Sequence, residues 1–199
     1  MSSTIIKNNK LLIIISSPSG TGKTSVCKRI INHDKKIKLS ISHTTRTPRD
    51  NEINGLDYFF ISSDDFNSKI LDKSFLEYAY VFGNYYGTSK KNVQEILLND
   101  CDVLFDIDWQ GASQISNSNL ARIVTIFLVP PSKDEVLERL KKRSKETGDD
   151  HISIQRRMLE YENEMKHASE YSYVVVNNEI EDCTKKVISI IENERKLSD

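Results

Sequence analysis

Residues 17–25 read Ser17, Pro18, Ser19, Gly20, Thr21, Gly22, Lys23, Thr24 and Ser25, a set whose types and spacing suit phosphate. Gly20 and Gly22 let backbone N–H groups turn inward with no Cβ in the way, and a following helix would add its positive end. Lys23 can reach terminal phosphates, and the Thr24 hydroxyl can ligate a magnesium ion. The pattern G-x-x-x-x-G-K-[ST] is met except at its first position, where Ser17 stands. Serine is small, and it costs strain there only if the position needs a positive φ.

Two further groups could complete such a site. Asp106 and Asp108 alternate in "VLFDID", so a strand through both would point them to one face, at the end where open α/β sheets bind ligands. One of them would hold the magnesium ion through water; the rival reading is a pair of acids capping the next helix. Arg46 and Arg49 flank Pro48, which keeps Thr47 out of the helical region. Two guanidiniums on a loop, with Tyr58 following, make a clamp for a phosphate dianion. Alone, they would read as a solvated basic loop.

The elements that must position these residues are legible as periodicity. Residues 11–15, 101–107, 123–129 and 173–176 are short, nearly continuous apolar runs, as in parallel strands covered on both faces. Helical patterns lie between them. Ser132 and Glu135 have capping-box spacing; Met158, Tyr161, Met165 and Ala168 step along one helix face, as do Ile180, Val187, Ile190 and Ile191. The alternation predicts an α/β fold with a mainly parallel sheet flanked by helices. Residues 43–92 interrupt it with Asn54–Gly55, a turn signal, and "FGNYYGT", a strand pair around a turn, so a small inserted subdomain is expected. Residues 141–151, "KKRSKETGDDH", lack apolar anchors and read as a mobile loop between two helices.

Composition narrows the function. The 199 residues suffice for one sizeable core, and 28 basic against 29 acidic residues argue for neither a nucleic acid nor an acidic membrane as partner. Cys27, Cys101 and Cys183 lie far apart, suggesting neither a disulfide framework nor a zinc site, and idle thiols in a reducing cytosol are expected. No signal peptide before the first strand and no membrane span are expected.

The stretches "SSPSGTGKTSV", "SISHTTRTPRDNEINGLDYFF", "FLEYAYVFGNYYGTSK", "VLFDIDWQGA", "FLVPPS", "ERLKKR", "QRRM" and "YVVVNNE" follow one another from residue 11 to about residue 178. In this order and content the chain resembles the guanylate kinases. The resemblance implies one P-loop, nucleoside-monophosphate-kinase-like domain over residues 1–199. Its core would be residues 1–42, 93–140 and 158–199, with a GMP-binding subdomain over 43–92 and a lid over 141–157. It implies magnesium-dependent transfer of a phosphoryl group from ATP to GMP, giving ADP and GDP, in purine nucleotide metabolism in the cytoplasm. Use of dGMP stays open, as does the choice between monomer and homodimer.

Residue by residue, the resemblance assigns residues 17–25 to ATP, with Asn177 near the adenine. Ser42, Glu77, Thr88 and Asp106 would contact the guanine, which leaves Asp108 with Thr24 for Mg²⁺. Thr88 stands where many members have serine, with the hydroxyl kept. Arg46, Arg49, Tyr58 and Tyr86 would hold the GMP phosphate. Arg139, Arg143 and Arg157 would surround the transferring group, with Lys23 and Arg46 completing the catalytic set.

The chemistry of the base agrees. Guanine presents N1–H and N2–H₂ on one edge, and the acceptor-only carboxylate of Glu77 can take both bonds; adenine N1 would face it with a lone pair. By alternation alone Glu77 would face solvent. A GMP phosphate is already an anionic nucleophile, so no general base is needed, and His33, His43, His151 and His167 read as surface or structural residues. A non-catalytic module of the same family would be expected to lose Lys23 or the acceptor residues, which are present. A kinase for another small acceptor is disfavoured by Glu77 and Ser42.

Overall fold

The computed structural model describes residues 9–118, 120–147 and 151–197. The chain runs β1 (Leu11–Ser16), α1 (Lys23–His33), β2 (Ile37–Leu39), β3 (His43–Thr44), β4 (Phe59–Phe60), α2 (Ser63–Leu71), β5 (Phe75–Val81), β6 (Asn84–Ser89) and α3 (Lys90–Leu98). It continues through β7 (Asp102–Asp106), α4 (Trp109–Ser116), β8 (Arg122–Val129), α5 (Lys133–Thr147), α6 (His151–Lys166), a 3₁₀ turn (His167–Glu170), β9 (Tyr173–Val176) and α7 (Ile180–Lys196).

Five strands form one sheet in the order β2-β7-β1-β8-β9, every neighbouring pair parallel. The central strand β1 is buried along its whole length because both faces are covered. Leu11, Ile13 and Ile15 pack with Val26 and Ile30 of α1 and Val187 and Ile191 of α7. Leu12 and Ile14 pack with Val93 and Leu97 of α3 and with Ala112 and Ile115 of α4. One strand thus nucleates a core on each side of the sheet. The edge strand β2 was not expected; it has three residues, with Lys38 exposed between two apolar neighbours.

The second sheet has the order β4-β3-β6-β5, with β3 and β4 parallel and the other pairs antiparallel. The expected strand pair is the β5–β6 hairpin. Phe82 and Gly83 turn it with φ of +48° and +87°, the positive pair that suits a tight hairpin turn. Asn54–Gly55 makes no hairpin. Asn54 bridges to Tyr58 in parallel, and its Oδ1 accepts from the Phe60 N–H at 2.9 Å.

The charged run after residue 140 departs from its expectation as a loop. Helix α5 continues to Thr147 and α6 begins at His151; residues 148–150 lie outside the described residues. The helix is launched by Ser132, whose Oγ accepts from the Glu135 N–H at 3.1 Å. It is anchored by Val136 and Leu140 against Ile154 and Tyr161 of α6. Lys, Arg and Glu are good helix formers, so a run without apolar anchors can still extend an anchored helix. The expected boundaries at 92/93, 140/141 and 157/158 accordingly fall inside α3, α5 and α6.

Candidate active site

The loop between β1 and α1 lies at the C-terminal end of the central strand, where its neighbours β7 and β8 also end. Gly20 and Gly22 turn it at φ +85° and +97°, a region that L side chains rarely adopt. Among the described residues the non-glycine positions with positive φ are Lys73, Phe82 and Asp100, so Ser17 sits in the loop without that strain. Lys23 opens α1 and donates to the Ile107 carbonyl at 2.9 Å. Its Nζ is 2.5 Å from Asp106 Oδ1. Burial works against its charge, but the Asp106 carboxylate outweighs this and holds the ammonium above its ordinary pKa. Thr24 Oγ1 donates to Asp106 Oδ2 at 2.7 Å. Ser25 is exposed in the first turn of α1.

The two aspartates do not share one strand face. Strand β7 ends at Asp106, and Asp108 is the N-cap of α4, its Oδ1 accepting from the Gly111 N–H at 3.1 Å and its Oδ2 from Gln110 Nε2 at 3.0 Å. The carboxylate beside Thr24 and Lys23 is therefore that of Asp106, against the expectation of Asp108. The alternation argument failed because the strand stops one pleat early; the rival reading, an acid capping the next helix, describes Asp108.

Helices α5 and α6 and the β9–α7 turn brace the outside of the loop. The Thr21 carbonyl accepts from Asn177 Nδ2 at 2.6 Å and from Arg139 Nη1 at 3.1 Å. Arg139 also donates to the carbonyls of Asn177 and Asn178, both at 3.3 Å. Asn177, expected near a base, is buried with its amide committed to the loop backbone. Arg143 follows one turn later on α5, half-buried. Arg157 of α6 donates to Ser19 Oγ at 2.7 Å, and its guanidinium lies 5.0 Å from the centre of the Phe82 ring in the hairpin turn. It thereby joins the loop, α6 and the second sheet.

Across from the loop, β5 and β6 set Glu77 opposite Thr88. Both are buried, Glu77 with 3% of its surface exposed, and Ser42 is buried just before β3. Glu77 does not face solvent because α4 covers it: a Cβ at Gly111 would stand 2.5 Å from Glu77 Oε2, so the close approach needs glycine there. Burial pushes the Glu77 carboxyl up to about 7, and the nearby Asp108 charge adds to the shift. Arg46 donates to both oxygens of Glu52, at 2.8 and 2.9 Å, and its guanidinium lies 5.5 Å from the Tyr58 ring centre. Glu52 also accepts from the Arg49 backbone N–H at 2.9 Å. The Tyr58 and Tyr86 rings meet edge to face at 6.0 Å. His43 is held neutral between Phe59 and Phe75, its pKa lowered by burial to about 4.

Two acidic residues of this region escaped the sequence reading. Glu52, three residues after Arg49, carried a spacing signal, since a carboxylate in the same turn is the natural partner of paired guanidiniums. Glu164 carried none. It reads as part of the polar face of α6, yet it is buried and accepts from the Ser19 N–H at 3.2 Å.

A parallel α/β sheet with a phosphate-type loop on its central strand, beside a second sheet that buries Glu77 and Thr88, defines a P-loop nucleotide-kinase-like protein. The family model described as Guanylate kinase matches residues 9–194. The chain belongs to the guanylate kinase family and is an enzyme of that kind. The guanylate kinase of Rickettsia felis is 45% identical over 191 residues, covering 96% of this chain and 97% of the relative. That of Buchnera aphidicola subsp. Schizaphis graminum is 44% identical over 183 residues, covering 91% and 86%. The crystal structure of guanylate kinase from Anaplasma phagocytophilum superposes with a TM-score of 0.75 at 30% identity, covering 94% of this chain and 86% of that one.

Proposed function

We propose that the enzyme transfers the terminal phosphoryl group of ATP to GMP, giving ADP and GDP. The observation that carries the reading is Glu77, a carboxylate buried between the second sheet and α4, close enough to Lys23 of the phosphate loop for that charge to act on it. A guanine edge, with two donors side by side, is the nucleobase feature that an acceptor-only group can satisfy. Ser42 and Thr88 offer hydroxyls beside it. Asp108, close enough for its charge to act on Glu77, is assigned to this acceptor side. Arg46 and Arg49, with Tyr58 and Tyr86, would hold the GMP phosphate, and Glu52 keeps the two arginines oriented until it arrives.

On the donor side, residues 17–25 would cradle the ATP phosphates. Lys23, Arg143 and Arg157 would surround the transferring group, while Arg139 and Asn177 hold the loop in shape from behind. Phosphoryl transfer asks for in-line placement and positive charge around the equatorial oxygens rather than covalent help. Thr24 and Asp106 present hard oxygens 2.7 Å apart, a donor set that suits Mg²⁺, which takes its other ligands from phosphate and water. When bound, the ion would neutralise charge on the phosphates. Residues 43–92 would form the acceptor subdomain and α5 with α6 the lid, closing to exclude water. Among the described residues no helix is long and apolar enough to cross a membrane. ATP and GMP are cytoplasmic metabolites, so the same reading puts the enzyme in the cytoplasm.

Titration calorimetry with GMP and AMP against the parent and Glu77→Gln tests the acceptor assignment. Glutamine keeps the shape but offers one acceptor. The variant is expected to lose roughly tenfold to a hundredfold in GMP affinity, with AMP weak in both proteins. An unchanged GMP affinity would remove Glu77 from the base pocket.

A further inference from the structure

Glu164 is a buried acid for which the proposed reaction has no use. It lies on α6 with 9% of its surface exposed. Its Oε2 accepts from the Ser19 N–H at 3.2 Å. Seven residues earlier on the same helix face, Arg157 donates to the Ser19 hydroxyl at 2.7 Å. Tyr161, between them, is buried against α5. Helix α6 therefore grips one residue of the phosphate loop at two points, backbone and side chain. Next to it, Gly20 lies under α5, where an added Cβ would stand 3.0 Å from Leu140 Cγ. Burial pushes the Glu164 carboxyl up to about 7, with Asp108 and Glu160 adding to the shift and the Ser19 N–H and Lys23 opposing it. A carboxylate kept where its charge is disfavoured suggests a task other than stability.

We propose that Glu164 is a positioning residue for the donor side: by holding the Ser19 N–H it sets the phosphate loop against α6, so that the loop and Arg157 converge on the same phosphoryl group. The inference rests on the assignment of residues 17–25 to ATP. Donor-site geometry and lid placement are then one mechanical unit, joined at Ser19. What matters is an acceptor atom at the correct reach, not the charge. The opposite role is also definite: a carboxylate at a phosphate loop could mimic phosphate and compete with ATP, in which case its removal would tighten ATP binding.

Steady-state kinetics on the full chain separate these roles, using Glu164→Gln, Glu164→Asp and Glu164→Ala. Glutamine keeps both reach and an acceptor oxygen; aspartate keeps the charge but falls short by one methylene. For kcat/KM with ATP the expected order is parent close to Gln, then Asp close to Ala, with the last two down roughly tenfold. The KM for GMP should stay within about twofold in all three. Aspartate retaining activity while glutamine loses it would overturn the proposal, as would a lower KM for ATP in the alanine variant. A fall in melting temperature with kcat/KM for ATP unmoved would mark a merely structural residue and overturn it too. If the alanine variant does not fold, the Gln–Asp contrast decides alone. Lys23→Ala in the same assay guards the underlying assignment. A lost rate there, with the Glu164 series out of order, defeats only the proposal; no effect in either defeats the assignment as well.

Discussion

Glu77 illustrates at the scale of one residue how a functional group carries a stability cost. Its folded pKa, about 7, lies above the ordinary value of 4.5, so the folded state binds the extra proton between those pH values. The stabilisation is fully present below pH 4.5 and is lost as pH rises through about 7. The loss is on the order of 3–4 kcal/mol, and Glu164 contributes with the same sign. Chemical denaturation across pH 4–8 should show this decline, shallower in Glu77→Gln. Guanine donors favour the ionised carboxylate, so GMP affinity is expected to rise as pH passes through about 7. In Glu77→Gln only the phosphate's own ionisation, near pH 6, should remain. A parent and variant with superimposable pH profiles would contradict this. At the donor end, Lys23→Ala removes a preorganised charge and should lower kcat by at least about a hundredfold; an unchanged kcat would show that the loop is not the donor site.

At the scale of elements, the site is built where three units touch: the β1–α1 loop, the α5–α6 pair and the β5–β6 hairpin. Arg157 meets Ser19 in the first and Phe82 in the third. A bisubstrate analogue joining ATP and GMP chemistry should therefore slow hydrogen exchange in α5, α6 and β5–β6 together, and Phe82→Ala should weaken the joint response. Protection of one unit without the others would refute the coupling. The elements also show what the sequence could tell. Strands β1, β7 and β8 were legible because a strand covered on both faces has to be apolar nearly throughout; the edge strand β9 was legible as an apolar run although Val174 and Val176 are exposed. Strand β2 was not, since its central residue faces solvent. The helical continuation of α5 was hidden because its anchor, Leu140, precedes the charged run. Asp106 and Asp108 were visible as a pair, but their sharing of one face was not borne out, because alternation presupposes a strand that in fact ends at Asp106, with Asp108 capping the next helix. Glu164 was invisible, since a carboxylate on a polar helix is by default solvated.

At the scale of the molecule, chemistry and stability sit at opposite ends of the parallel sheet. At the strand N-termini, Arg195 of α7 pairs with Asp102 at 2.7 Å and Asp34 at 2.6 Å, and Asp102 also accepts from the Leu11 N–H at 2.9 Å. This ties the last helix to β1, β7 and the end of α1. Arg195→Ala would leave Asp102, only 3% exposed, without its cation. The cost, discounted for the partly exposed arginine, is about 2–3 kcal/mol. That corresponds to a melting temperature lower by roughly 5–10 °C for a chain of this size. Both KM values should stay at parent levels, because the network lies far from the loop; a changed KM would contradict the separation.

On the proposed function, the site passes phosphate from ATP to GMP and reads the base with a buried carboxylate. A coupled ADP-release assay with GMP, AMP, CMP and UMP as acceptors, with ATP and Mg²⁺ held constant, tests it most directly. Turnover with GMP is expected to exceed that with each of the others by at least about a hundredfold, because a base that cannot donate to Glu77 leaves that buried group unpaired. Comparable rates with AMP or a pyrimidine nucleotide, or ADP release that ignores the acceptor, would contradict it.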